Sequence, residues 1–394
     1  MSPLGNSKNE TFGYPLIDIG ILGGGQLAKM MAQVAKQYGF AIHILDPTPD
    51  APASSIADSH TVGDLYDESA IRSVVERCDV TTYDIEHIDT DALKKLVDEG
   101  FEIHPSPHLL ETIQDKFRQK EILSEHGVPV PRYVGIEKPD RKAFHDFGYP
   151  LVQKSRRGGY DGGGVQILES ESEFHQAIQS PSMIEDLLRF EKELSVLVAR
   201  GHDGQVVTYP VVEMVFNPEG NLLELLLAPA RISDEIASKA ESIAIKAVNS
   251  LDGVGIFGVE LFLTKDGDVL LNEIAPRPHN SGHFTIEACV TDQFEQHLRA
   301  ITGLPLGSTE LLKPAVMVNL LGAPAFEGPP LISGLSEILE FPGVSFHFYG
   351  KKVTRPMRKM GHVTILNDEI ERGIEIGKSV LTTLRIQSKE EAQS

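Results

Sequence analysis

Three oxygen-bearing side chains stand where strands should be apolar. In the runs Gly258–Leu263 and Val269–Ile274, Glu260, Asn272 and Glu273 interrupt otherwise apolar sequence. Lys265-Asp266-Gly267 between them is a turn signal, so the runs pair as neighbouring strands. Carboxylates buried there are costly unless a cation meets them. Two Glu and one Asn are hard oxygen ligands, suited to Mg²⁺ held jointly with substrate phosphates. An ion pair within the protein, for instance Glu273 with Arg277, answers the same cost without a ligand.

Lys154 ends an apolar run and is followed by Arg156-Arg157-Gly158-Gly159-Tyr160-Asp161 and Gly162–Gly164, five glycines in seven residues. Backbone N–H groups of such a loop can cradle phosphates, with a lysine at its mouth. The spacing is not that of a P-loop. A nearby strand carries Glu185 and Asp186. A second glycine cluster, Gly23-Gly24-Gly25-Gln26-Leu27-Ala28, follows a strand and opens a helix, with Asp46 ending the next strand. That context suits a dinucleotide, any other anion, or a plain tight turn. Arg277-Pro278-His279-Asn280-Ser281-Gly282-His283 lies just beyond the acidic strands, and Lys351, Lys352, Arg355, Arg358 and Lys359 put five cations in nine residues. A phosphate-bearing substrate and a solvated basic turn both account for the second cluster.

These residues need a framework, and the pattern supplies one. Alternating strands and helices over the first hundred residues predict βαβ units on a parallel sheet, from Leu16–Leu22 to a strand at Phe101–His104. One helix is expected from Leu109 to Glu125, one strand at Val206–Val215 and one helix at Thr285–Thr302. The 394 residues allow two or three domains. The expected fold is α/β: an N-terminal Rossmann-like unit over 1–108, a larger unit over 109–312 with a mobile lid at about 125–195, and a small C-terminal unit over 313–394. With 36 basic against 57 acidic residues the net charge is −21, which argues against nucleic acid and anionic membrane as partners. No apolar run spans a bilayer, the start has no signal-peptide pattern, and two cysteines suit reduced thiols, so a cytoplasmic location is expected.

Taken together, Lys116 in Gln-Asp-Lys-Phe-Arg-Gln-Lys, the Lys154 strand, the Gly-Gly-Tyr-Asp-Gly loop, Glu185-Asp-Leu-Leu and the Glu260…Asn272-Glu273 pair resemble the ATP-grasp superfamily. Within it the chain is similar to the 5-(carboxyamino)imidazole ribonucleotide synthases from Ile19 to about Leu384, through Gly159-Tyr160-Asp161-Gly162, Pro276–His283 and Arg355–His362. The resemblance implies an ATP-grasp fold behind a Rossmann-like domain, and ATP-dependent carboxylation of aminoimidazole ribonucleotide by bicarbonate through carboxyphosphate. Lys116, Lys154, Gly159, Tyr160, Glu185, Asp186, Leu188, Glu193 and Asn272 would then hold ATP, and Glu260 and Glu273 would hold Mg²⁺. Gln26, Glu86, Arg157, Tyr160, Asp161, Lys351, Arg355 and Arg358 would face the ribonucleotide. Arg277, Asn280 and His283 would line the bicarbonate pocket, with Asp161 or His283 as proton acceptor. A homodimer is implied as well. The sequence departs from that pattern at Ala28-Lys29, at Gly163, and at Met357 where glycine is usual.

Three rivals carry distinct signatures. Formate-dependent glycinamide ribonucleotide transformylase shares the acidic strands but has a Ser/Gly/Lys-rich loop and a different run after Pro-Arg-Pro-His. An NAD-dependent dehydrogenase would use Gly23–Ala28 and Asp46. A non-catalytic scaffold would have lost Lys154, Glu260 and Glu273, all present here.

Overall fold

A computed structural model describes residues 16–159, 163–216 and 223–389. The first layer is built from β1 (Asp18–Leu22), α1 (Gln26–Gln37), β2 (Ala41–Asp46), β3 (Ser59–Val62), α2 (Glu68–Val75), β4 (Val80–Tyr83) and α3 (Thr90–Asp98). The strands form a parallel sheet in the order β3-β2-β1-β4. α1 buries Leu27, Met30, Met31, Val34 and Ala35 on one face against Ile19, Ile21 and Ile42. The expected strand at Phe101–His104 does not form: Ile103 makes a single parallel bridge to Thr81. Pro105 stops it, and the chain turns at once into a helix.

The expected single helix to Glu125 is two, α4 (Pro107–Gln114) and α5 (Lys116–Glu125). Asp115 between them is extended (φ −110°, ψ 100°) and its carboxylate accepts from the Phe117 and Arg118 amides. An aspartate that caps the second helix cannot also continue the first. The break sets Lys116 at the first position of α5. There follow β5 (Tyr133–Ile136), α6 (Arg141–Phe147), β6 (Leu151–Ser155), β7 (Val165–Leu168) and β8 (Ser182–Asp186). They form a four-stranded antiparallel sheet in the order β5-β8-β6-β7, with the glycine loop joining β6 to β7.

A long sheet lies opposite. Its strands begin with β9 (Phe190–Arg200), β10 (Val206–Thr208), β11 (Val212–Phe216) and β12 (Leu223–Ala228). The strand expected over Val206–Val215 is split because Pro210 offers no N–H to the ladder. α7 (Asp234–Leu251) buries Ala240, Ile243, Ala244, Ala247 and Val248 against β9 and β13 (Gly255–Thr264), which pairs with β14 (Val269–Ala275). The helix expected over Thr285–Thr302 is α8 (Thr285–Ala288) and α9 (Gln293–Thr302). Between them the Val290 and Thr291 amides bond Glu310 and Ser308, and Asp292 caps α9. After β15 (Ala315–Leu321), β16 (Leu331–Ser333), α10 (Leu335–Ile338), β17 (Val344–Phe348), β18 (Lys359–Leu366), α11 (Ile370–Thr383) and β19 (Arg385–Gln387) complete the chain. The C-terminal strands continue the same sheet, β14-β13-β9-β11-β12-β15-β18-β17, so the last unit is joined edge to edge with the one before it.

Candidate active site

The acidic pair sits where two sheets face each other. Glu260 on β13 is directly opposite Glu273 on β14. Lys116 Nζ reaches Glu273 Oε2 at 2.8 Å. From the facing sheet, Lys154 Nζ donates to Asn272 Oδ1 at 3.0 Å and pairs with Glu185 Oε2 at 2.8 Å. The Glu273–Arg277 pair weighed from the sequence does not form, because Arg277 Nη2 turns to Glu86 Oε1 at 2.7 Å. Lys116, which is also attracted by Glu260 and Glu185, holds Glu273 well below the usual carboxylate range. Burial, then the charges of Glu273 and Glu193, push Glu260 up. Glu193 is itself raised to about 7, chiefly by burial.

Two mutually repelling carboxylates beside lysines and an amide oxygen fit a divalent cation that completes its shell with polyphosphate oxygens. Among the described residues no group of three or more His, Cys, Asp or Glu gathers to hold an ion without such help.

The first glycine turn is already occupied. Asp46 Oδ2 accepts from Gly24 N at 2.8 Å, and Asp84 Oδ2 from Gly25 N at 2.8 Å and Ala28 N at 3.3 Å. Asp84 is buried, which raises its carboxyl to about 6. The amides that a dinucleotide pyrophosphate would need are filled by carboxylates that would repel it, which removes the dehydrogenase reading. Gly23 has φ +100°, and a Cβ there would lie 1.8 Å from Asp84 Oδ1.

Other expected residues are placed less uniformly. Leu188 is half-buried in the turn after β8, Gln26 opens α1, and Gly159 lies so near Gly163 that a Cβ would come 2.3 Å from its carbonyl oxygen. Tyr160 and Asp161 lie outside the described residues. Asp186 does not share the cleft with Glu185: alternation along the strand turns it to Arg132 at 2.7 Å. Arg157 is exposed, 3.8 Å from Asp115. Asn280 exchanges two amide hydrogen bonds with Asn319, at 2.9 and 3.0 Å.

His283 is 1% exposed and its Nδ1 accepts from Gln293 Nε2 at 2.9 Å. Its ring packs against Phe294 and His362, and burial holds its pKa well below the usual value. Sealed in this way, it does not open to the cleft, whereas the resemblance offers it, as the alternative to Asp161, for proton acceptor. In the basic turn Lys351 Nζ donates to the Lys359 carbonyl at 2.7 Å, Arg358 Nη1 to the Val353 carbonyl at 2.7 Å, and Arg355 is exposed. Met357 adopts φ +62°, the conformation that glycine takes freely.

Sequence reasoning missed three supports. Lys29 Nζ donates to the Phe348 and Tyr349 carbonyls, both at 3.1 Å, tying α1 to the end of β17, just before the basic turn. Asp115 holds Arg156 at 2.7 Å as well as capping α5. Lys120 lies buried against Glu185. Its four-residue spacing from Lys116 on one helix was the available signal.

Family models match in chain order: a ribonucleotide synthetase preATP-grasp domain at residues 16–114, an ATP-grasp domain at 121–294, and a phosphoribosylaminoimidazole carboxylase C-terminal domain at 315–375. The N5-carboxyaminoimidazole ribonucleotide synthase of Bacillus subtilis is 40% identical over 368 residues, covering 92% of this chain and 94% of that protein. The chain belongs to the N5-carboxyaminoimidazole ribonucleotide synthase family. A crystal structure of the Thermotoga maritima synthetase of this family is 51% identical with a TM-score of 0.88, over 95% of this chain and 100% of that one. The Aspergillus clavatus synthase, solved with ADP and 5-aminoimidazole ribonucleotide, is 35% identical with a TM-score of 0.86, over 93% and 98%. Plant and yeast relatives named phosphoribosylaminoimidazole carboxylase are longer, and this synthase-family chain spans 63% to 67% of them.

Proposed function

We propose that this chain carboxylates 5-aminoimidazole ribonucleotide with bicarbonate at the expense of ATP, giving 5-carboxyamino-1-(5-phospho-D-ribosyl)imidazole, ADP and phosphate. The observation that carries the reading is the convergence of Lys116, Lys154, Asn272, Glu260 and Glu273 between two sheets. The names of the relatives point the same way.

Lys116 and Lys154 bind the polyphosphate and offset charge that develops on it. Glu260 and Glu273 would hold Mg²⁺, which supplies further neutralisation at the transferring phosphoryl group. A bicarbonate oxygen bonds to the γ-phosphorus as the bridging oxygen leaves with ADP. The exocyclic amine of the ribonucleotide then bonds to the carboxyl carbon of carboxyphosphate, or of the CO₂ it releases, while phosphate departs and the amine loses a proton.

Arg277, fixed by Glu86, orients the bicarbonate, and Asn280, fixed by Asn319, lines the same pocket. With His283 sealed in the core, Asp161 takes the role of proton acceptor. Lys351, Arg355 and Arg358 grip the ribonucleotide phosphate. The units 1–108, 109–312 and 313–394 supply the ribonucleotide, nucleotide and phosphate-gripping parts, with 125–195 as the lid. The reading also takes the chain as a cytoplasmic homodimer. Among the described residues no helix is long and apolar enough to cross a membrane.

The test is ADP release in a coupled assay with substrates omitted one at a time. Turnover should require ATP, bicarbonate and aminoimidazole ribonucleotide together. Turnover with formate and glycinamide ribonucleotide instead would sink the proposal.

A further inference from the structure

Lys120 is 1% exposed, a burial that lysine tolerates only when its charge is met. It stands one turn beyond Lys116 on α5. Its ammonium lies against Glu185 Oε1, while the other oxygen of that carboxylate pairs with Lys154 Nζ at 2.8 Å. Glu185 itself is 2% exposed. A buried lysine and a half-buried one therefore share one carboxylate, and the remaining partner of Lys154, Asn272 Oδ1, is neutral. The group as a whole carries one positive charge.

The consequence is electrostatic. A carboxylate paired with Lys154 alone would cancel the charge that the lysine offers to a phosphate. With Lys120 behind it, the carboxylate is already balanced. We infer that Lys120 is a positioning residue for nucleotide binding: it neutralises Glu185 from the core side and leaves the charge of Lys154 available to the polyphosphate. The inference deepens the proposed function and rests on its nucleotide site alone, not on the identity of the carboxylated substrate.

Calorimetric titration with ADP in the absence of Mg²⁺ tests it. Lys120→Met should weaken ADP binding about tenfold, because Glu185 then sequesters Lys154, a cost of about 1.4 kcal/mol. Glu185→Gln alone is the reference for the double variant, because Glu185 is itself among the residues expected to hold ATP. In that background Lys120→Met should change ADP affinity by no more than about twofold, since the sequestering charge is gone. A lysine that served packing alone would weaken binding in both backgrounds alike. ADP affinity in Lys120→Met equal to that of the parent chain, or a tenfold loss on adding Lys120→Met to Glu185→Gln, would overturn the inference.

Where Lys120→Met does not fold, Glu185→Gln is compared with the double variant, in which no buried charge is stranded. Lys120 acts only through Glu185, so the two should bind ADP within about twofold of each other. A tenfold gap between them would mean direct contact with nucleotide and would overturn it as well. A parent chain that binds no ADP brings down the nucleotide site of the proposed function and this inference together; a parent that binds while the variants behave otherwise brings down the inference alone.

Discussion

Replacing Glu273 with glutamine keeps its shape and removes one charge from the cleft. The carboxylate is 2.8 Å from Lys116 Nζ and directly opposite Glu260. At an effective dielectric of about 20, a contact of that length is worth about 6 kcal/mol gross. The Glu273 side chain keeps 45% of its surface open, so solvent screens most of that, and a stability loss of about 1–2 kcal/mol is expected. The catalytic loss should be larger. Glu273 would act through the cation it holds, and weakening one preorganised source of charge neutralisation at a transferring phosphoryl costs about 10²–10³-fold in kcat. The two effects separate further in binding. Lys116 loses its competitor, so ADP affinity measured with EDTA should hold or tighten while Mg²⁺-dependent ADP release collapses. Thermal unfolding, metal-free titration and the coupled assay give the three numbers. Full Mg²⁺-dependent turnover in Glu273→Gln would refute the assignment of this pair to the cation.

Arg277→Met should cost about 2–4 kcal/mol in thermal unfolding by stranding Glu86, and Glu86→Gln added to it should restore part of that stability; equal losses in single and double variants would contradict the pairing. Gly23→Ala forces φ +100° on an alanine and drives its methyl into Asp84, so stability should fall by at least about 2 kcal/mol; an unchanged Tm would argue against the close approach. His297 is buried, accepts the Ile256 amide and contacts Thr82 Oγ1, and burial lowers its pKa to about 3. The unfolded chain therefore takes up this proton first, and stability should fall as pH drops below about 6.5, by up to about 1.4 kcal/mol per pH unit, until about pH 3. His297→Gln should flatten the slope of Tm between pH 7.5 and 5.5; an unaltered slope would rule the histidine out as a cause.

Much of the site was legible in sequence because its signals are local. Polar interruptions of apolar strands at Glu260, Asn272 and Glu273, the glycine loop after Lys154, and the strand–helix alternation of the first layer all depend on residues a few positions apart. The readings that changed needed partners far away in the chain. Lys116 and Glu273 are 157 residues apart, so no periodicity could choose that pair over Glu273 with Arg277. Asp115 gave no sign by itself that it would end one helix and cap the next. It also holds Arg156, just past the end of β6, and that bond exists only after packing.

Residue types and spacing determined which chemistry this protein could support. Tertiary structure decided which charges meet, that Asp46 and Asp84 fill amides of the glycine turn, and that His283 lies within the core. The physical reason is range: turn and strand preferences act between neighbours in sequence, whereas burial and charge pairing act between neighbours in space.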